Sequence, residues 1–256
     1  CQIYFNGVLA ASLEKNGIKT ENVTISKEAL DAISLDGETT IAVHCYRTNS
    51  LKYFDAALTC QMSGQLKKIE WQMKDGPMKS AFTDDIDVNN VLGEYPRPQM
   101  ERKQWQSLNG IWDFQPLFAN RSGKPEDAYS MEILVPFPVE SAISGIMKDY
   151  SRFAYRRFFT VPEEWAGKNL LLHFEAVDHE CEAFVNGSSV GTHKGGYDPF
   201  KFDVTKYLTG EGEQELVVKV YDPTDLGGQP RGKQTLSPGG IMYTSTSGIW
   251  QSGWME

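Results

Sequence analysis

The chain has 256 residues, a net charge of −9 and a hydrophobic content of 40%, which is enough to bury the core of one large or two modest domains. The acidic balance argues against a nucleic-acid-binding protein, which needs a basic face to neutralise phosphates, and against a polybasic membrane anchor. Because no apolar run is long enough to cross a bilayer, the sequence also predicts no membrane-spanning helix.

The first strand and turn signals stand at the start of the sequence. Residues 1–8 read CQIYFNGV, an alternating β-type segment that includes the turn pair Asn6-Gly7. Such a pair favours a tight hairpin because both residues accept positive φ angles. The best helical pattern is SKEALDAI at 26–33, with Ser26 in the N-cap position. The sequence therefore predicts a hairpin followed by a short helix.

The same pattern recurs later in the chain. Residues 181–188 read CEAFVNGS and align with residues 1–8 at a constant offset. A longer strand pattern follows each copy, at 39–46 and at 214–221. Strand-rich sequence precedes the second copy but not the first. We therefore expect residues 1–71 to form the C-terminal half of an accessory jelly roll with open strand edges.

Residues 72–94 mix turn formers and charges with little periodicity, which indicates a linker. The prolines of YPRPQ at 95–99 then favour an extended path. From residue 95 to residue 256, short β-branched and aromatic segments alternate with glycine-containing turns, and helical patterns are rare. The predicted fold class is all-β, a jelly-roll β-sandwich over 95–256 that is preceded by the partial jelly roll.

Cysteine and histidine spacing predicts neither a metal site nor a cofactor. The four cysteines form no C-x-x-C pair, and the four histidines show no tight spacing. We interpret the cysteines as buried free thiols, although a bridge in an oxidising compartment stays open for one pair. These cysteines are Cys1 and Cys181, and the pair Cys45 and Cys60.

The tryptophans separate by context. Trp112 and Trp250 lie in strand-like alternation, and we expect both in the core. Trp254 lies near the end of the sequence. We expect it to have packed on a further domain, since an exposed aromatic here would mark a lost interface.

Several motifs, in this order, resemble the N-terminal module of family 2 glycoside hydrolases. They are YPRPQ (95–99), W-x-S-L-N-G-x-W-x-F (105–114), VPFPVE (135–140), YRRFFTVP (155–162), HFEAVD (173–178), FVNGSSVGTHKGGYDPFKFDVT (184–205) and SGIWQSGWME (247–256). The front portion is similar to an accessory jelly roll found beside such enzymes in polysaccharide-degrading bacteria. A parent of that kind would be periplasmic or extracellular.

The resemblance implies a parent enzyme that hydrolyses β-linked sugars by a retaining mechanism. That mechanism needs two carboxyl groups about 5–5.5 Å apart, and the family supplies them from a TIM barrel. The sequence contains no βα repeat, so we expect no catalytic residue here. The expected partners are carbohydrate and the missing immunoglobulin-like and TIM-barrel domains. The predicted function is a non-catalytic sugar-binding and scaffolding domain; the alternatives are an autonomous carbohydrate-binding module or a structural module that forms a homodimer.

The turn Asn186-Gly187 has two interpretations. Asn-Gly suits a type I′ hairpin, which is a structural role. The resemblance implies a functional role, because in bacterial β-galactosidases the asparagine of this turn contacts sugar. Asn186 is the matching position. The same turn at Asn6-Gly7 favours the structural interpretation.

The loop 191–199, GTHKGGYDP, carries the other candidate sugar-binding residues. His193 can donate a hydrogen bond, Tyr197 offers a stacking face and Asp198 can bind vicinal hydroxyls. Alternatively, His193 and Asp198 hold the loop to itself. The adjacent residues Asp178 and His179 are predicted to be a strand-end pair rather than a catalytic dyad.

A long loop follows the last strong strand pattern. Asp222–Met242 is rich in glycine and proline and is basic at Arg231 and Lys233. Loops of this length are usually functional or mobile. The sequence therefore predicts that this loop faces the missing barrel in the full enzyme.

Overall fold

The computed structural model describes residues 2–12, 25–32, 41–44, 68–76, 80–117, 129–210 and 212–256. The chain divides into two compact units, Cys1–Gln61 and Met62–Glu256. Within the described residues, no helix is long and apolar enough to cross a membrane.

The described part of the first unit is a small antiparallel sheet with one short helix. Its strands are β1 (Gln2–Phe5), β2 (Val8–Ser12) and β3 (Ile41–His44), in the order β2-β1-β3, and its helix is α1 (Lys27–Asp31). The hairpin turn has φ angles of +46° at Asn6 and +84° at Gly7, as a type I′ turn requires. The Ser26 hydroxyl accepts a hydrogen bond from the Ala29 amide at 3.2 Å. The predicted turn and N-cap are therefore confirmed.

The second unit is built from short strands. They are β4 (Gln106–Ser107), β5 (Gly110–Pro116), β6 (Met131–Val135), β7 (Arg152–Thr160), β8 (Leu171–Phe174), β9 (Val177–Asp178), β10 (Glu180–Val185), β11 (Ser188–Lys194), β12 (Phe200–Asp203), β13 (Glu213–Tyr221), β14 (Gln234–Thr235), β15 (Tyr243–Thr244), β16 (Gly248–Ile249) and β17 (Gly253–Met255). Single-turn 3-10 helices lie at Thr83–Asp85, Glu163–Trp165 and Thr205–Tyr207.

Among the described residues, these strands form two main antiparallel sheets. One has the order β11-β10-β13-β7-β5-β6 and the other the order β12-β8-β17-β4. Alternating side chains bury one face of each strand, as Trp112 and Phe114 do on β5 and Leu216 and Val218 do on β13. These side chains share one core cluster with Phe174 of the smaller sheet. The all-β sandwich prediction is confirmed.

Two predictions about buried residues have different outcomes. Cys181 is a buried free thiol, as expected, while Cys1, Cys45 and Cys60 lie outside the described residues. The expectation that Trp254 packs on a further domain is wrong. Trp254 is buried in the second unit, where its indole stacks on the His173 ring at a centroid distance of 4.7 Å.

The sequence repeat corresponds to a repeated strand arrangement. β2-β1-β3 in the first unit has the same order as β11-β10-β13 in the second. The β1–β2 pairing shifts register between Ile3 and Tyr4, and the β10–β11 pairing shifts between Ala183 and Phe184. Because even this irregularity lies at the same position of both copies, the two segments share one local fold.

Residues ahead of the sandwich strands line the edge of the larger sheet. Ile69 forms a parallel bridge to Met131 of β6. The Trp71 indole donates to the Ile143 carbonyl at 3.0 Å and packs so closely on Gly145 that a Cβ there would clash. This segment therefore covers an edge strand that would otherwise expose unpaired backbone groups.

Candidate functional site

The hairpin β10–β11 separates the sequence-predicted site residues into two groups. Its register runs from the pair Val185 and Ser188 beside the turn to the pair Glu180 and Lys194 at the other end. At roughly 3.4 Å per residue, the two ends lie about 20 Å apart. Asn186 is at one end, which we call the turn end. The loop 195–199 is at the other, which we call the loop end.

At the turn end, both the nitrogen and the oxygen of the Asn186 side chain form hydrogen bonds with neighbouring groups. Its amide nitrogen donates to the Tyr207 carbonyl at 2.9 Å and to Gln214 Oε1 at 2.7 Å, and its oxygen accepts from the Glu215 amide at 3.0 Å. In the other copy, Asn6 donates to the Ala32 carbonyl at 2.6 Å. An amide has two donor hydrogens, and Asn186 commits both inside the fold. The sugar contact that the resemblance implies for Asn186 stays a prediction.

A wide surface groove lies beside the turn end rather than at the loop end. It is lined by residues 101–104, 161–163, 165–170, 205, 208, 210, 212 and 256. Its charged side chains, among them Lys103, Glu163 and Lys168, are exposed to solvent. The groove does not contain the aromatic and polar groups that the sequence singled out, so its size alone does not make it a candidate site.

At the loop end, Gln234 and Trp250 contact the side chain of Tyr197. Its side chain is 52% exposed and contacts Trp250 edge to face, with 5.9 Å between ring centroids. The Tyr197 hydroxyl accepts a hydrogen bond from Gln234 Nε2 at 3.1 Å. Burial raises the pKa of Tyr197, so the phenol is neutral at physiological pH. The structure therefore presents a fixed aromatic side chain to solvent.

Trp250 is a second tryptophan, after Trp254, whose position the sequence predicted wrongly. It is half-buried at the loop end rather than in the core cluster. Its indole nitrogen donates to the Gly196 carbonyl at 2.8 Å. Alternation alone could not reveal this position, because Trp250 follows the two-residue strand β16 instead of lying within a long strand.

His193 and Asp198 lie at the same end as Tyr197. The His193 ring stacks on Phe200 at a centroid distance of 4.0 Å, and its Nε2 lies 3.1 Å from the Gly195 carbonyl. Asp198 is exposed on the loop. Through these contacts, His193 stabilises the conformation of the loop. The side chain of Asp198, in contrast, is accessible to solvent.

Gln234 joins the long loop to both neighbours, and sequence reasoning missed it. Its side chain is buried, donates to Tyr197 and accepts from the Thr246 amide at 2.6 Å. Arg231 donates to the Gln234 carbonyl at 2.8 Å. Although the 222–242 loop is long, it is tied to the loop end by these bonds. No local pattern around Gln234 distinguishes it from the other polar loop residues.

Three carboxyl groups at the loop end are buried or half-buried: Asp178 and Asp222 are buried, and Glu140 is half-buried. Glu140 accepts from the Ser247 amide at 3.0 Å and from its hydroxyl. Asp222 accepts from the Thr224 amide at 2.8 Å. Burial is the main cause that raises the pKa of both groups. Burial, together with Asp222 and Glu140, raises the pKa of Asp178 to about 7.

Asp178 and His179 occupy the corner between β9 and β10. His179 Nδ1 lies 3.7 Å from Asp178 Oδ1, and burial lowers the pKa of His179. Both side chains are buried, so this is a strand-end pair, as predicted. Within the described part of the chain, no group of three or more His, Cys, Asp or Glu side chains is arranged to hold a metal ion.

Residues 126–229 match the family model described as the sugar binding domain of glycosyl hydrolases family 2. Among curated proteins, a β-galactosidase of Thermoanaerobacter pseudethanolicus is 36% identical over 105 residues, which are 40% of this chain and 13% of that protein. A β-glucuronidase of Paenibacillus borealis is 28% identical over 155 residues, or 57% of this chain and 24% of that protein. The chain thus spans about a quarter or less of these relatives.

Solved structures of β-glucuronidases are also similar to this chain. The enzyme from an uncultured Clostridium species aligns with 63% of this chain and 30% of its own, with 27% identity and a TM-score of 0.47. The apo enzyme of Ruminococcus gnavus aligns over the same shares with 21% identity and a TM-score of 0.46.

Proposed function

We propose that this chain contributes the sugar binding domain of a glycosyl hydrolases family 2 protein, which the family model matched at residues 126–229 supports, and that its loop end contacts the sugar of a β-glycoside without hydrolysing it. The relatives are named β-galactosidase and β-glucuronidase. We infer the same substrate class for the protein to which this domain contributes. In that setting the domain shapes the sugar pocket and docks on a catalytic barrel.

The observation that carries this proposal is the Tyr197–Trp250 pair at the loop end. Sugars present C–H faces to aromatic rings and hydroxyl groups to planar polar side chains. Tyr197 supplies an exposed ring that Gln234 and Trp250 hold in one orientation. Asp198 lies one residue away and is exposed, so an acceptor for hydroxyl groups accompanies the ring.

The proposed absence of catalysis is supported by the state of three acidic residues at the loop end. A retaining glycosidase needs an accessible nucleophile and an accessible acid on either side of the scissile bond. Among the loop-end carboxyls with perturbed pKa values, Asp178 and Asp222 are buried and Glu140 is half-buried. Glu140 and Asp222 are also engaged by serine, threonine and glutamine donors. This burial and these hydrogen bonds support the proposal that the three groups do not flank a glycosidic bond.

The first test separates a binding domain from an enzyme. The purified chain is incubated with p-nitrophenyl β-D-galactoside and p-nitrophenyl β-D-glucuronide, and release of nitrophenolate is followed. We expect no turnover above buffer. Turnover that disappears in Asp178→Asn or Glu140→Gln, with the fold retained, would contradict the proposal.

The second test separates the loop end from the turn end. Methyl β-D-galactoside and methyl β-D-glucuronide are titrated into the chain by calorimetry. We expect weak, saturable binding that Tyr197→Ala reduces by about tenfold, the loss of one desolvated aromatic contact. The matched control is Tyr207→Phe, which alters an aromatic residue near the turn end and should leave the affinity unchanged. Equal losses in both variants would contradict the assignment to the loop end.

A further inference from the structure

We propose that Asp178 is a positioning residue that supports segment 195–197 in its neutral form and releases it on ionisation, so that sugar contact at the loop end weakens as the pH rises. This inference rests on the proposed function, because it concerns regulation of the same surface. It assigns a role to a buried acidic side chain that does not itself reach the surface.

The carboxyl group of Asp178 lies directly against the backbone of Gly196. A Cβ added to Gly196 would overlap that carboxyl group, so only glycine allows the approach. On the neighbouring residue, the Gly195 amide donates to the His179 carbonyl at 2.9 Å. The Gly196 carbonyl in turn accepts from Trp250. The segment before Tyr197 is therefore held between the Asp178–His179 corner and the Trp250 indole.

The surroundings of Asp178 disfavour a negative charge. Asp222 and Glu140 face it from the neighbouring segments and are themselves acidic. The other titratable groups around it are His179, at 3.7 Å, and the Tyr197 phenol. Among the described residues, none of the hydrogen bonds ends on the Asp178 carboxylate, and a buried carboxylate without donors is costly. Asp178 is only 4% exposed, so an ionised Asp178 gains more water when segment 195–197 moves away.

The direction of the pH effect follows from this arrangement. Desolvation, Asp222 and Glu140 raise the pKa of Asp178 from 3.8 to about 7. Below that value Asp178 is neutral and packs on Gly196. Above it the charge favours the open segment. Tyr197 is the next residue along the chain, so its orientation is lost together with the contact at Gly196.

Hydrogen–deuterium exchange tests the positioning role without any sugar. Peptides covering residues 195–199 are followed by mass spectrometry at pH 6 and pH 8, after correction for the intrinsic pH dependence of exchange. For the wild-type chain we expect protection to fall by about tenfold, the effect of a shift of roughly one pKa unit in the coupled equilibrium. Unchanged wild-type protection between the two pH values would overturn the proposal. This experiment uses the wild-type chain alone.

Two carboxyl-to-amide variants assign the effect to Asp178. Asp178→Asn resembles the neutral form, and we expect equal protection of the loop at both pH values. Glu164→Gln is the matched control, because Glu164 is exposed on the 3-10 helix Glu163–Trp165, and it should keep the wild-type pH dependence. A pH dependence that persists in Asp178→Asn would contradict the proposal.

A double-mutant cycle tests the contact with Gly196. Gly196→Ala in the wild-type background should open the loop at both pH values, because its methyl group displaces the Asp178 carboxyl. In the Asp178→Ala background the same substitution should have a smaller effect. Equal effects in the two backgrounds would show that Asp178 does not act through Gly196.

A sugar arm separates this inference from the proposed function. Calorimetric titration of methyl β-D-galactoside and methyl β-D-glucuronide is repeated at pH 6 and pH 8, and we expect weaker binding at pH 8 in the wild type but not in Asp178→Asn. Binding of equal strength at both pH values would overturn the inference and leave the proposed function standing. No binding at either pH, with pH-dependent protection of the loop, would overturn the proposed function and its regulation while retaining the role of Asp178.

Discussion

The turn end and the loop end belong to one hairpin, yet their polar side chains are arranged differently. At the turn end, Asn186 forms hydrogen bonds with Tyr207, Gln214 and Glu215, so both of its donor hydrogens are committed inside the fold. At the loop end, Tyr197 is exposed above buried carboxyl groups. The difference teaches that the residue types in a motif do not reveal its role, whereas the hydrogen-bond partners of its side chains do. Residues that stabilise the fold and residues that we propose to face a ligand occupy opposite ends of the same strands.

The largest expected effect lies at the turn end. Asn186→Ala removes three hydrogen bonds and puts alanine at a φ of +50°. We expect a loss of about 3 kcal/mol in the free energy of unfolding, measured by urea denaturation. Asn186→Gly, which accepts the positive φ, should lose less. If Asn186→Ala is as stable as the wild type but binds sugar poorly, the comparison of the two ends is wrong.

The next effect is the pH dependence of stability. Because the folded-state pKa of Asp178 is raised to about 7, the folded state binds more protons than the unfolded state between pH 4 and pH 7. Stability therefore falls as pH rises through this range, and the full penalty is present above it. At pH 8, Asp178→Asn should be more stable than the wild type by about 2 kcal/mol, below the full value expected from the pKa shift because water relaxes the site.

Denaturation of both proteins at pH 5 and pH 8 checks this sign. At pH 5 the gap should be small, because Asp178 is already neutral there. A variant that is less stable than the wild type at pH 8 would show that the ionised carboxylate has favourable partners.

Gln234 tests how the loops of the loop end are coupled. Gln234→Ala leaves the Thr246 amide without its partner and removes the donor to Tyr197. We expect a loss of about 1.5 kcal/mol in unfolding free energy, since one buried backbone donor becomes unsatisfied. Sugar affinity should fall as well, because Tyr197 loses its fixed orientation. A loss of stability with unchanged affinity would show that Tyr197 does not need this support.

The smallest effect is expected for the Tyr197 hydroxyl. Tyr197→Phe keeps the ring and its contact with Trp250 but removes one hydrogen bond at a half-exposed position. We expect a change of about 0.5 kcal/mol in stability and a small loss of sugar affinity, because the ring loses its bond to Gln234 but keeps its contact with Trp250. Thermal denaturation and calorimetry of the variant measure both. A large loss of affinity would mean that the hydroxyl, rather than the ring, contacts the sugar.

Local chemistry accounts for the features that the sequence predicted correctly. The Asn6-Gly7 turn and the Ser26 cap depend only on a few neighbouring residues, so both could be inferred directly from the sequence. Trp112 lies in a seven-residue strand, where alternation has room to show which face is buried. The motif that contains Trp254 was recognisable, but its burial depends on contacts with His173, which is 81 positions earlier in the chain (254 − 173).

The buried carboxyl cluster could not be predicted for the same reason. Glu140, Asp178 and Asp222 are separated by about 40 residues each in the sequence, and only the strand order brings them together. The role of Gln234 likewise depends on its hydrogen bonds to Tyr197 and Thr246, which belong to different segments. Long-range topology decides these positions, and a single sequence shows topology only through motifs already known.

The most direct test of the central claim compares two indole groups in one NMR spectrum. The Trp250 indole nitrogen bonds to Gly196 at the loop end, whereas the Trp112 indole nitrogen bonds to the Leu108 carbonyl in the core. During titration with methyl β-D-galactoside or methyl β-D-glucuronide, the Trp250 signal, assigned by its loss in Trp250→Phe, should shift saturably while the Trp112 signal stays in place. A saturable shift confined to signals of the turn end, or none at Trp250, would contradict the account.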